Sequence, residues 1–290
     1  MIKINGVTMR DLARECKNDL CFVAGTLVHT DKGLVPIEQL KVGDRVLSKP
    51  ESGEGELAYK AITRTFKSQE KQPIFMVSFY IDSVRAYTYG EGISDLYKHK
   101  VIFMQEAAAK GEYLLSRETM YLFCTSDYPF WVIGKGWVPV YQLKENDQFA
   151  LFDGDTATIN SVYDYWPRPL EATTNPDIAI CPCYEAEDAG IGCIVDFRFG
   201  YSQFILDKEE RESNTLHPAE NFIIVPSDAS DPLSKLLRPE EDKIGYADDF
   251  TEENINYLVR HFYQSVYNIE VEDYHTYYVG TAGVWVGTQC

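Results

Sequence analysis

Seven thiols and five imidazoles are the side chains in this sequence with intrinsic reactivity near neutral pH. The thiolate is the form that attacks carbonyls and binds metals, and a free thiol with a pKa of about 8.5 is only slightly ionised at pH 7. A reactive cysteine therefore needs a base, or a site that favours its anion. Cys16, Cys21, Cys124, Cys181, Cys183, Cys193 and Cys290 are odd in number and spread over 290 residues, which argues against a disulfide framework. Cys181, Cys183 and Cys193 supply three sulfur ligands at unusual spacing with no obvious fourth, so neither a metal nor another cofactor is expected. For proton transfer His275 stands out, with Asp273 placed to orient it or, once desolvated, to act itself. A lone histidine in a Tyr-rich strand also has a purely structural explanation.

The elements that must position these groups show themselves through an internal repeat. GLVPIEQLKVGDRVL, from Gly33 to Leu47, recurs as GWVPVYQLKENDQFA, from Gly136 to Ala150, with Gly, Val, Pro, Gln, Leu, Lys and Asp matching in register. Each copy predicts a strand, one helical turn around Gln39 or Gln142, a tight turn at Gly43-Asp44 or Asn146-Asp147, and a second strand. Two such copies imply an all-β architecture with pseudo-two-fold symmetry. Between them lie long strand-like runs and a charged stretch with one short helix expected near Gln105 to Lys110. Beyond them, residues from Asp155 to His261 turn acidic and lose periodicity, and a helix is expected from Thr251 to Gln264. VYNIEVEDYHTYYVGTAGVWVGTQC then predicts two strands joined across Gly280 to Gly283.

Composition bounds the task. With 45% apolar residues the chain can bury a substantial core. A formal charge of -18 without clustered Lys and Arg excludes nucleic acid as the main partner. No apolar run is long enough to span a bilayer, and the opening MIKINGVTMRDLARECKNDL lacks the apolar centre of a signal peptide. Synthesis in the cytoplasm is expected, with secretion inside a larger effector as the alternative, and no membrane partner is expected.

CFVAGTLVHTDKGLVPIEQLKVGDRVLS (Cys21 to Ser48) and VYNIEVEDYHTYYVGTAGVWV (Val266 to Val286) resemble the opening and closing motifs of the Hint (hedgehog/intein) family. CTSDYPFWVIGKGWVPV resembles its middle motif, Thr-x-x-His followed by a strand. The resemblance is to the bacterial intein-like domains of polymorphic toxins, with several motif positions altered. It implies an all-β, horseshoe-shaped fold with pseudo-two-fold symmetry, carrying an inserted mixed α/β or irregular segment. The expected division is residues 1–20 as N-terminal flank, 21–154 as the N-terminal part of the Hint domain, 155–262 as acidic insertion, 263–289 as its C-terminal part, and 290 as the start of the C-terminal flank. The insertion shows neither an HNH pattern nor a repeat of catalytic carboxylates.

The resemblance also implies chemistry. The Cys21 thiol would attack the carbonyl of Leu20 and replace the Leu20–Cys21 amide by a thioester, an N–S acyl shift. The departing nitrogen needs a proton, which the family's Thr-x-x-His motif supplies. Here Thr125 keeps the first position, Ser126 and Asp127 fill the spacer, and Tyr128 stands where the histidine belongs. At the downstream junction the family's His-Asn pair is replaced by Gly287 and Thr288. Gln289 carries an amide one methylene longer than Asn and could cyclise at the junction before Cys290, at the expense of a one-residue insertion. Cys21, Thr125, Asp127, Asp273, His275, Gln289 and Cys290 are thus the candidate catalytic residues, Leu20 and Gln289 precede the candidate scissile bonds, and Tyr128, Gly287 and Thr288 are degenerate positions.

Two functions follow, with the chain's own flanking polypeptides, or toxin and delivery modules, as partners. One is self-processing by a partial or impaired acyl shift at Cys21. The other is a domain that no longer cuts and serves as a connector or carrier in a bacterial toxin or effector system. The acidic insertion could also bind a basic partner, although a charge-rich insertion is more often a solvated elaboration.

Overall fold

The computed structural model describes residues 3–4, 7–8, 20–83, 120–164, 166–167, 177–180, 193–197, 203–207, 222–225, 259–260 and 262–288. Its centre is one 15-stranded sheet. In chain order the strands are β1 (Phe22–Val23), β2 (Leu27–Thr30), β3 (Gly33–Pro36), β4 (Arg45–Ser48), β5 (Ala58–Lys67) and β6 (Gln72–Ile81). They continue with β7 (Met120–Cys124), β8 (Pro129–Val132), β9 (Gly136–Pro139), β10 (Gln148–Ala150) and β11 (Thr156–Tyr163). The last four are β12 (Phe262–Gln264), β13 (Val266–Val271), β14 (Thr276–Val279) and β15 (Val284–Gly287). No helix among the described residues is long and apolar enough to cross a membrane.

The sequence repeat is a repeat in space. A 3-10 turn at Ile37–Gln39 links β3 to β4, and one at Val140–Gln142 links β9 to β10. In each copy an aspartate side chain caps the following turn: Asp44 accepts from the Lys41 amide at 2.9 Å and Asp147 from the Lys144 amide at 3.2 Å. That is the Asx-type bond that makes aspartate a turn residue. Gly43 and Asn146 occupy the left-handed conformation there, at φ 94° and 65°, which glycine adopts without steric cost and asparagine tolerates. Strand pairing follows the same plan, with Thr30↔Val46 in one half matched by Val132↔Phe149 in the other. Each half then adds a long strand with a bulge: β5 on β13, and β11 on β6.

The β14–β15 hairpin ties the halves together, because Val279 pairs with Val28 and Val286 with Phe130. Its turn spans Gly280 to Gly283, as the sequence implies. Gly283 has φ 69°, and a Cβ there would overlap the Phe152 ring, so only glycine fits. The main core beneath these strands includes Phe22, Phe79, Tyr128, Phe130, Phe149, Ile269, Tyr277 and Val286, all nearly inaccessible.

The sheet runs on through β11 to Tyr163, past the position where the sequence places the start of the acidic insertion. Within that segment, Ile178–Ile180, Cys193–Asp196, Gln203–Asp207 and Phe222–Val225 form a separate four-stranded sheet, and Trp166–Pro167 pairs with Val259–Arg260. The helix expected from Thr251 to Gln264 is corrected over its described part. Val259–Arg260 and Phe262–Gln264 are strands, and β12 pairs with Gln72 to Ile74 of β6. Phe262 and Gln264 are buried while Tyr263 is exposed, the period of two that a strand with one covered face imposes. The short helix expected near Gln105 to Lys110, together with Cys16, Cys181 and Cys183, lies outside the described residues.

Candidate functional site

Strand register places Cys21, the candidate nucleophile, between two polar residues. Phe22 pairs with Cys124 of β7, which sets Cys21 opposite Thr125. Val23 and Phe22 pair with Val266 and Tyr267 of β13, and continuing that register sets Asn268 on the other flank of Cys21. Cys21 is 2% exposed. Its amide donates to Thr125 Oγ1 at 3.1 Å, and its carbonyl accepts from the Thr125 amide at 3.0 Å. That first bond engages the nitrogen of the Leu20–Cys21 peptide, the atom that would leave in an acyl shift. Leu20 packs at the edge of the main core, so both sides of this peptide are held.

The chain turns tightly after Thr125, with the Tyr128 amide donating to the Thr125 carbonyl at 3.3 Å. The Tyr128 ring lies against Phe22, centroids 4.3 Å apart. Its hydroxyl reaches two buried partners, the Tyr277 hydroxyl at 2.6 Å and Asn268 Oδ1 at 3.1 Å. Tyr277 reaches the same Asn268 oxygen at 3.2 Å, which also accepts from the Ile269 amide at 2.8 Å. Burial pushes the pKa of both tyrosines up, reinforced at each by the nearby Cys21 and Cys124 thiols. Burial likewise pushes the Cys124 thiol up, so Cys124 is a core residue and not a second nucleophile. Tyr128 is therefore a neutral hydrogen-bonding group locked in a core network, and it holds its proton at neutral pH.

The remaining sequence candidates are placed differently. Asp127 is exposed, and its carboxylate accepts from the Ser126 hydroxyl at 3.1 Å. Asp273 pairs with Lys60 at 2.9 Å on the surface. His275 is exposed in a turn at φ 52°, outside the buried cluster that holds Cys21. Asp273 and His275 thus shape the β13–β14 turn, where both residues are left-handed. Asn268 and Tyr277 are site residues that the sequence does not single out. Asn268 carries a signal in retrospect, as a polar side chain in the apolar alternation of β13.

The C-terminal end comes to the same place. Thr276 pairs with Gly287, the Thr288 amide donates to the His275 carbonyl at 2.7 Å, and Thr288 is buried. Continuing the Phe130↔Val286 register brings Thr288 beside Tyr128. A Cβ on Gly287 would lie 3.2 Å from Pro129 Cγ and 3.5 Å from Trp137 Cζ3, so a side chain at this position would press on Pro129. Gln289 and Cys290 lie outside the described residues.

Residues 20–73 match the model of a family described as Hint domain, a stretch that opens one residue before Cys21. Among solved structures the chain is similar to a bacterial intein-like domain from Clostridium thermocellum, at 16% identity and a TM-score of 0.42, over 92% of this chain and 97% of that one. It is also similar to a DnaB intein from Synechocystis sp. PCC 6803, at 8% identity and a TM-score of 0.40, over 93% and 98% of the two chains. No match was found among curated protein sequences. The family match thus covers residues 20–73, the stretch that holds Cys21 and the first copy of the repeat, and over that stretch the chain is similar to Hint domains.

Proposed function

We propose that this Hint domain acts on its own backbone at Leu20–Cys21, by a slow, single-turnover N–S acyl shift. The observation that carries this reading is the bond from the Cys21 amide to Thr125 Oγ1, with both residues buried. In the shift, Cys21 Sγ bonds to the Leu20 carbonyl carbon, the carbon–nitrogen bond breaks, and the thiol proton ends on the freed Cys21 amine. Thr125 orients the leaving nitrogen throughout. Tyr128, Tyr277 and Asn268 form a neutral hydrogen-bonded network nearby, and having tyrosine instead of histidine at position 128 slows protonation of that nitrogen. The natural substrates are the chain's own flanking segments.

The Tyr128–Tyr277–Asn268 network favours a second reading, in which the fold persists without chemistry as a connector between a delivery module and its cargo in a bacterial toxin system. Intact mass separates the two. The chain is expressed between two reporter domains and incubated with or without dithiothreitol, beside Cys21→Ala. Thiol-promoted separation after Leu20 that Cys21→Ala abolishes supports the acyl shift, whereas one uncut species under every condition supports the connector.

A further inference from the structure

Cys21 belongs to a second apolar cluster, distinct from the main core, and the inserted segment contributes to it. This cluster joins Cys21, Val23, Phe123 and Val266 of the main sheet with Phe262, Ala179 and Phe197. Ala179 and Phe197 come from the segment between β11 and β12. Phe197 meets the edge of Phe123 at 5.8 Å and leans on Phe262 at 5.4 Å. Aromatic contacts of this kind exceed the worth of their buried area alone. At the rim, Asp177 acts as a clasp: its carboxylate pairs with Lys71 and accepts from Gln264 Nε2 at 3.0 Å, and its carbonyl accepts from the Phe197 amide at 2.8 Å. Lys71 and Gln264 both stand on the main sheet side, next to β6 and on β12. The aromatic contact and the clasp thus fasten one edge of the insertion over the face that carries the nucleophile.

We infer that Ala179 and Phe197, with the strand that holds the first (Ile178–Ile180), the strand that ends just before the second (Cys193–Asp196) and the Asp177 clasp, form a cap on Cys21, which decides when the thiol, or a thioester formed on it, meets outside nucleophiles and electrophiles. The inference rests on the self-processing reading for its purpose, though not for its test. The Lys71–Asp177 pair is about one third exposed, at 41% and 29% of the two side chains, so ions in solution screen it and its hold is weak. The cap therefore opens at the clasp first, while the aromatic seal around Phe197 sets how far opening extends towards Cys21. A closed cap protects a thioester from hydrolysis, and an open one lets a thiol collect the acyl group. Control of access at this point determines the product without altering the residues around the scissile bond.

The test is the rate at which iodoacetamide modifies individual cysteines, followed by peptide mass mapping on the whole chain. Lys71→Ala and Phe197→Ala are compared with the unaltered chain and with Lys32→Ala, which removes a surface ion pair to Asp44 elsewhere. Cys124 is fully buried in the main core and reports general unfolding. Both cap variants should raise Cys21 modification at least roughly fivefold, as expected of a local opening, with Cys124 and Lys32→Ala unchanged. Unchanged Cys21 in both variants overturns the cap, as does a parallel rise at Cys21 and Cys124. Alkylation needs no acyl shift, so even a chain that never cleaves shows whether Cys21 is capped.

Discussion

The hydroxyl oxygens of Tyr128 and Tyr277 lie 2.6 Å apart, and both face the same oxygen of Asn268. Three contacts share two hydroxyl protons, so one tyrosine donates to the other and the second donates to Asn268. The three side chains come from β13, β14 and the turn before β8, which makes the network a joint between the two halves of the repeat. It occupies the position where acid–base chemistry is expected from the resemblance, and it supplies hydrogen bonds in place of a titrating group.

A shared bond is measurable as coupling. Tyr128→Phe and Tyr277→Phe should each destabilise the fold by roughly 1 to 2 kcal/mol, the usual loss when a buried hydrogen bond is broken. The double variant should lose less than the sum, by roughly 1 kcal/mol, because the tyrosine–tyrosine bond is lost only once. Urea unfolding of the four chains gives the cycle. Strict additivity would mean that the hydroxyls do not bond each other.

Tyr128→His tests whether the missing proton source limits the proposed acyl shift. It replaces a group that keeps its proton at neutral pH with an imidazole whose ordinary pKa is about 6.5. Positioned proton donors contribute about 100- to 10,000-fold, so even an imperfectly seated histidine should raise thiol-dependent separation after Leu20 by at least about tenfold. Cys21→Ala must abolish the gain. Histidine without any gain would place the limit elsewhere, in the thiol or in the geometry of the Leu20 carbonyl.

The parts of this fold that are legible in the sequence are those fixed by local chemistry. Gly33, Pro36, Lys41 and Asp44 recur as Gly136, Pro139, Lys144 and Asp147 because the same turn, with the same carboxylate cap, is built twice. The stretch around Cys21 is legible too, since its motif lies within the residues that match the family model. Asn268 is not, because β13 buries the adjacent Asn268 and Ile269 together. Alternation along such a strand does not say which residue faces the core. His275 draws attention by its residue type, yet its backbone serves a turn and its side chain is exposed. The strand at Phe262–Gln264 reads as helix in sequence because its partner, Gln72 to Ile74, is distant along the chain and invisible to any local pattern.

Thr125 should separate orientation from packing. Thr125→Ser keeps an oxygen for the Cys21 amide and should retain cleavage within about threefold, since the orienting contact survives. Thr125→Val keeps the shape, removes the oxygen, and leaves a buried amide without that partner, which costs about 1 to 3 kcal/mol. Cleavage of Thr125→Val should fall at least about tenfold, a loss of about 1.4 kcal/mol in transition-state stabilisation. Mass spectrometry and urea unfolding on the same preparations give both quantities. Equal cleavage in Ser and Val variants would remove Thr125 from the mechanism.

Acid should loosen the C-terminal hairpin through His29. This side chain, on β2, is buried, and its Nε2–H donates to the Gly280 carbonyl at 2.9 Å, in the turn between β14 and β15. Burial pushes its pKa down to about 4, against the smaller opposing pulls of the Gly280 bond and Asp153. In the unfolded chain the same imidazole titrates near about 6.5. Above that value both states are neutral and the full stability is present. Between about 6.5 and 4 the unfolded state takes up a proton that the folded state refuses, so stability falls as the pH drops, by roughly 3 kcal/mol in all, and the loss is complete once the folded state also protonates. His29→Gln keeps a donor for Gly280 and cannot titrate. Its stability should trail that of the unaltered chain at pH 7 and approach or overtake it by about pH 4.5 in urea unfolding. Parallel curves for the two chains across that range would show that His29 is not the group responsible. Because the hairpin carries Tyr277 and ends at Thr288, the same acid range should also weaken the tyrosine network beside Cys21.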